Sequence, residues 1–224
     1  MDQRLCVVIP AYNESRHIAS VVEGLRGETI IVVDDGSTDG TADAAERAGA
    51  TVIRHRANRG KGAALQTGFD AALARGCAAV VTIDGDGQHN IREIPKLTEA
   101  SERHGAGVVV GRRQRIRGIM PRERRMVNSS SSALLSLLTG QRLADIHSGF
   151  RFIRREVLER VRLTSSRFDA EVGFLMDAAG GGFKIVEVPV ETIYGTEESK
   201  IRAARDTLRF FTVIFRKSLR RLWA

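Results

Sequence analysis

What the chain lacks narrows it first. No apolar run in its 224 residues approaches the ~18 needed to span a bilayer. The opening MDQRLCVVIPAYNES has neither the long apolar region nor the small-residue cleavage site of a secretion signal. A protein that is soluble, or peripheral to a membrane, is expected. Cysteine is scarce: Cys6 and Cys77 both lie in apolar, strand-like surroundings, which points to a buried reduced pair in a cytosolic protein rather than a disulfide. Asn58-Arg59-Gly60-Lys61-Gly62 superficially suggests a phosphate loop, but the GxxxxGK[ST] spacing is missing, which argues against a P-loop ATPase. No GxGxxG follows the first apolar segment either, which counts against a dinucleotide-binding enzyme. Negative charge is also short, with a formal net charge of +8, so the question is where the positive excess sits.

The length allows one α/β domain with a full core, alone or with a small extension. Apolar segments at Leu5–Ile9, Thr29–Val33, Thr51–Arg54, Val80–Ile83, Gly107–Val110 and Lys184–Val190 read as strands, with Pro10 ending the first. Between them lie helical patterns through Ile18–Leu25, Ala42–Ala48, Leu65–Leu73, Ile91–Arg103, Met126–Thr139 and Ala170–Ala179, several closed by glycine. Strands too apolar to face water on either side predict a mostly parallel sheet covered by helices on both faces. Such sheets bind ligands at the carboxyl ends of their strands. Those ends carry acids here: Asp34 and Asp35, Asp84 and Asp86, and less regularly Asp145.

The central stretch is VVTIDGDGQH, Val80–His89. Alternation puts Asp84 and Asp86 on one side of the chain, and Gly85 and Gly87 let the backbone bend so that both carboxylates converge. Converged carboxylates repel unless a cation lies between them, and hard divalent cations prefer such oxygens. A solvated Asp/Gly turn is the plainer alternative.

Two basic stretches absorb the charge. RRQRIRGIMPRERR, Arg112–Arg125, has Glu123 as its acid. It lacks the aromatics that would stack on bases, which weakens a nucleic-acid reading and favours a phosphate-bearing substrate held by bidentate arginines. In the tail, Leu208, Phe211, Phe215, Leu219 and Leu222 share one helical face and Arg202, Arg205, Arg209, Arg216 and Arg220 gather on the other. That pattern suits a helix lying on anionic lipid, or one packing on the domain or on a second copy of the chain.

VVIPAYNES, IIVVDDGSTDGT, NRGKGAALQTGFDAA, VVTIDGDGQH, VVVGRR, DIHSGFR and IVEVPVETIYGTEESK, in this order, resemble the family 2 glycosyltransferases, most nearly the polyprenyl- and dolichyl-phosphate sugar synthases. The resemblance covers about residues 4–200. It implies a GT-A fold, a Rossmann-like three-layer αβα sandwich with a mostly parallel sheet. Residues 1–200 would form the catalytic domain and 201–224 a basic amphipathic extension. The implied reaction is inverting transfer from a UDP- or GDP-linked sugar to a polyprenyl or dolichyl phosphate, with Mg²⁺ or Mn²⁺. It would take place at the cytoplasmic face of a membrane, with a homodimer as an open possibility and nucleic acid excluded.

Carried over by residue, the resemblance assigns Pro10, Ala11, Tyr12 and Glu14 to the first nucleotide-binding loop, and Val33 and Asp35 to the base and ribose. Ile83, Asp84 and Gly85 fall on the donor, while Asp84, Asp86 and Gln88 form the metal motif. Arg112 and Lys200 would face the diphosphate, and Arg125 and Asn128 the acceptor phosphate. The arginine that precedes the lysine by about six residues in the dolichyl-phosphate relatives is replaced here by Thr192-Ile193-Tyr194. With a hydroxyl acceptor, Asp145 would be the catalytic base. With a phosphate acceptor, already mostly dianionic near neutral pH, it would position the acceptor instead. A non-catalytic basic protein that binds membrane or nucleic acid is the remaining alternative.

Overall fold

The structure is a computed structural model and describes residues 4–113, 122–163, 169–191 and 193, without the side chains of 122–130 and 169. Strand and helix alternate from the start: β1 (Leu5–Ala11), α1 (Ile18–Gly24), β2 (Thr29–Asp34), α2 (Thr41–Arg47), β3 (Thr51–Arg54), α3 (Lys61–Ala74) and β4 (Ala79–Thr82). A 3₁₀ turn (Ile91–Glu93) leads into α4 (Ile94–His104), followed by β5 (Val108–Arg113) and α5 (Arg122–Thr139). The chain continues through β6 (Arg151–Arg154), α6 (Arg155–Arg160), α7 (Asp169–Gly180) and β7 (Ile185–Val190).

The seven strands form one sheet in the order β3-β2-β1-β4-β6-β5-β7. All neighbours pair in parallel except β6, which runs antiparallel to both β4 and β5. Strand alternation sorts the core into two layers. Cys6, Val8 and Val80 face α3, α5, α6 and α7, whereas Val7, Ile9 and Val81 face α1, α2 and α4. Covering both faces with helices gives the three-layer sandwich expected of such apolar strands. Packing is closest beneath α3, where a β-carbon on Gly68 would collide with Val8. Glycine there lets the helix, and Lys61 at its head, settle onto β1.

Three details depart from the sequence reading. β1 continues through Pro10 to Ala11. Its pairing with β4 ends at Val8, so the proline removes no ladder donor on that side. Helix α6 was not anticipated, because six residues are too few for a helical period to show. Finally, Cys6 and Cys77 form a disulfide, with α-carbons 6.0 Å apart, and are not a reduced pair. Apolar surroundings identify buried cysteines, but only the tertiary register brings the start of β1 beside the residues leading into β4.

Candidate active site

The carboxyl ends of β1, β2, β4 and β5 share one edge with the start of the antiparallel β6. Two loops there are laced together. Asn13 N donates to Ser37 Oγ (2.9 Å), and Asn13 Oδ1 accepts from Thr38 N (3.0 Å). Glu14 N donates to Thr41 Oγ1 and Ser15 N to Asp39 Oδ2. Asn13 adopts φ 55°, a left-handed conformation that asparagine tolerates better than most residues. Gly36 needs both its φ of 76° and its missing side chain, since a β-carbon would sit 2.6 Å from the backbone of Ala57. Pro10, Ala11, Tyr12 and Glu14 therefore line the start of a braced cleft wall, with Tyr12 exposed.

Asp35 takes a supporting position. It is buried and accepts from Arg59 N (2.9 Å) and Gly60 N (2.7 Å), with His55 Nδ1 2.7 Å away. These bonds hold the head of α3 against β2, so Asp35 organises the wall while its carboxylate is already engaged. The Val33 and Ile83 side chains lie in the core, which leaves only their backbones for a ligand.

Asp84 and Asp86 follow β4, and Gln88 N donates to Asp86 Oδ1 (3.0 Å). Burial and the neighbouring Asp84 charge push the Asp86 carboxyl above its usual range. Burial acts on Asp84 in the same direction, yet the ammonium of Lys61 and the ring of His89 hold it far below that range. Lys61 Nζ stands 2.6 Å from Asp84 Oδ1 and 3.0 Å from Glu171 Oε1 on α7. Burial would lower the Lys61 pKa, but these two carboxylates raise it instead. His89 Nε2 lies 3.4 Å from Asp84 Oδ2, and its ring packs on Phe150.

Asp145 lies against the end of β5. Arg113 forms a fork on it, Nε to Oδ2 and Nη2 to Oδ1, both at 2.8 Å, and Arg113 N adds a bond of 3.1 Å. Glu187 Oε1 on β7 accepts from Ala144 N and Asp145 N, each at 2.8 Å, and fixes the turn. Arg151 is buried and donates to the carbonyls of Ile146, Ser148 and Glu171, which ties this turn to α7. Arg112 is exposed on the same strand end.

Sequence reasoning missed Lys61, Arg113, Glu171, Glu187 and Arg151. Lys61 stood in a stretch set aside for its lack of phosphate-loop spacing. Glu171 had one available signal, an acid within the apolar run Ala170–Met176. Arg125 and Asn128 lie on α5 with their side chains outside the described residues, and Lys200 and the 201–224 tail are outside as well.

Oxygen donors of this kind suit a divalent cation. Among the described residues no group of three or more His, Cys, Asp or Glu side chains forms a complete metal cage. Two carboxylates that leave the remaining positions to substrate phosphates and water are a common arrangement for Mg²⁺. The chemistry of the Asp84 and Asp86 carboxylates therefore fits a divalent cation.

The fold matches crystal structures of glucosyl-3-phosphoglycerate synthase from Mycobacterium tuberculosis. One was solved in complex with Mn²⁺, UDP and phosphoglyceric acid, with TM-score 0.73 and 22% identity over 95% of this chain and 78% of that one. The mannosyl-3-phosphoglycerate synthase of Rubrobacter xylanophilus gives TM-score 0.74 and 19% identity, over 98% of this chain and 74% of that one. These likenesses show the fold, a mostly parallel seven-stranded sheet of GT-A type. The family model "Glycosyl transferase family 2" matches residues 6–162. Polyprenol monophosphomannose synthase of Mycolicibacterium smegmatis is 33% identical over 84% of this chain and 77% of its own length. Undecaprenyl-phosphate mannosyltransferase of Micrococcus luteus is 33% identical over 84% and 82%. UDP-N-acetylglucosamine–dolichyl-phosphate N-acetylglucosaminyltransferase of Methanococcus voltae is 30% identical over 93% of each chain. This chain belongs to glycosyltransferase family 2.

Proposed function

We propose that the chain transfers a sugar, with inversion, from a nucleotide-diphosphate sugar to a polyprenyl or dolichyl phosphate at a membrane surface. The observation that carries the acceptor class is the Arg113 fork on Asp145. Both carboxylate oxygens accept from the guanidinium, a poor arrangement for taking a proton from a hydroxyl. A phosphate acceptor arrives already anionic and needs no such base. The names of the relatives point the same way.

In this reading the nucleotide lies along the wall formed by residues 10–14 and 36–41, with its diphosphate toward Asp84 and Asp86. A divalent cation bound there would neutralise the charge that develops on the departing diphosphate. Arg112 faces the donor diphosphate, and the arginines of 115–125 draw the acceptor phosphate to the sugar's opposite face, where one of its oxygens forms the new bond to the anomeric carbon as the bond to the diphosphate breaks. Arg113, Glu187 and Arg151 keep the 145–151 turn rigid beneath it. Among the described residues no helix is long and apolar enough to cross a membrane. In this reading the amphipathic sequence pattern of 201–224 makes the membrane contact.

The test is a transfer assay that pairs UDP- and GDP-sugars with undecaprenyl phosphate, dolichyl phosphate and free sugars, with and without Mn²⁺. Product on a lipid phosphate alone supports the reading. Product on free sugars, with none on lipid phosphate, overturns it.

A further inference from the structure

We propose that Lys61 is the resident cation of the carboxylate site: its ammonium neutralises Asp84 until a nucleotide-borne metal takes that place, and Glu171 is the berth to which the lysine withdraws. The inference rests on the proposed use of a divalent cation by Asp84 and Asp86. Lys61 would be a positioning residue that sets when the metal can enter.

Three observations carry it. First, one ammonium touches carboxylates from two separate elements, Asp84 after β4 at 2.6 Å and Glu171 on α7 at 3.0 Å. A shift of the flexible lysine stem from one to the other needs no backbone movement. Second, both ends of the contact are braced. The amide of Gly60, just before Lys61, donates to buried Asp35, and Arg151 donates to the carbonyl of Glu171. Third, the Glu171 side chain is only 5% exposed. A buried carboxylate is costly unless paired, and among the described residues Lys61 forms a salt bridge to it.

The consequence is competition. A divalent ion that approaches Asp84 meets a positive charge already on one of its oxygens, and like charges at such spacing repel strongly where water is scarce. Metal would bind weakly to the empty enzyme and well once a diphosphate adds negative charge.

Mn²⁺ binding, read from the EPR signal of the free ion, tests this on the full-length protein without nucleotide. Lys61→Met should tighten Mn²⁺ binding about tenfold, the effect of removing one nearby like charge. Glu171→Gln should weaken it, because the ammonium then rests wholly on Asp84. Lys61→Arg keeps the charge and should stay near wild type. A role in packing alone would move Met and Gln variants in the same direction, and that outcome overturns the proposal, as does equal tightening by Met and Arg. Thermal melting of each variant, repeated with Mn²⁺, supplies a second readout: Lys61→Met should gain more stability from the ion than wild type does, and an equal gain overturns the proposal. A parallel titration with UDP and GDP separates the two readings. Wild type that binds Mn²⁺ with a nucleotide, while Lys61→Met shows no gain without one, sinks the lysine proposal alone. No binding by any protein, with or without nucleotide, sinks the metal reading with it.

Discussion

Asp84 lies against the α-carbon of Gly149: a β-carbon there would stand 2.5 Å from Oδ2 and 2.7 Å from Oδ1. The turn that opens β6 thereby sets the position of a carboxylate just after β4, and Thr82 Oγ1 reinforces the approach by donating to the Gly149 carbonyl at 2.7 Å. Gly149→Ala should push the Asp84 side chain out of its present position. A misplacement of that kind at a reacting centre costs on the order of a hundredfold in rate. Steady-state kinetics with a melting control check it, and undiminished kcat would show that the contact is slack.

Arg113 and Asp145 should behave as one unit. Losing one partner of a buried ion pair costs about 3–5 kcal/mol, and the lower end applies here because the Arg113 side chain is 30% exposed while that of Asp145 is 3%. The double substitution Arg113→Met/Asp145→Asn should cost clearly less than the sum of the two single changes, as a double-mutant cycle in urea would measure. Simple additivity would mean that the fork contributes little.

If Asp145 is no base, Asp145→Asn should lower kcat without removing the acidic limb of the pH–rate profile. A limb near the carboxylate range that vanishes with the substitution would restore the hydroxyl-acceptor mechanism.

The disulfide closes a long loop, with Cys6 and Cys77 separated by 71 positions. Loop-closure entropy for that length amounts to about 4 kcal/mol. Reduction under mild denaturant should lower the melting temperature, and the Cys6→Ala/Cys77→Ala protein should be insensitive to reductant. Equal melting of oxidised and reduced wild type would show that the bond adds no stability.

Asp39 supplies a pH signature. Slight burial opposes ionisation, but hydrogen bonds from Thr41 and Ser15 outweigh it and bring the pKa down to about 2. A lowered carboxylate pKa means stability that is present above the ordinary value near 3.9 and is lost as pH falls through about 2. Asp39→Asn should thus melt below wild type at neutral pH, with the gap closing in acid. A gap that holds constant to pH 2 would contradict the pairing.

Removal of residues 207–224 should abolish transfer to a lipid phosphate presented in vesicles, while Mn²⁺-dependent nucleotide binding, followed by thermal melting, persists. Full vesicle activity of the shortened chain would disprove the membrane role of the tail.

Much of this was legible in the order of residues. Continuous apolar strands such as Ile30–Val33 require cover on both faces, so the layered sheet followed from hydrophobic pattern alone. The Asp84-Gly85-Asp86 turn announced itself because its residues are adjacent in sequence and the strand period places them on one side. Asp145 reads as a possible base in sequence because nothing local shows that Arg113, 32 positions earlier, grips both its oxygens. The same holds for Lys61, which meets Glu171 only because α3 and α7 cover the same face of the sheet.

Local chemistry is short-ranged, so the sequence by itself determined the elements, the acidic edge and the carboxylate pair. Which charge neutralises which depends on contacts between residues tens of positions apart. Those were decided by the tertiary structure, through the antiparallel insertion of β6 and the packing of α3 and α7 on one side, because ion pairing depends on distance in space and not along the chain.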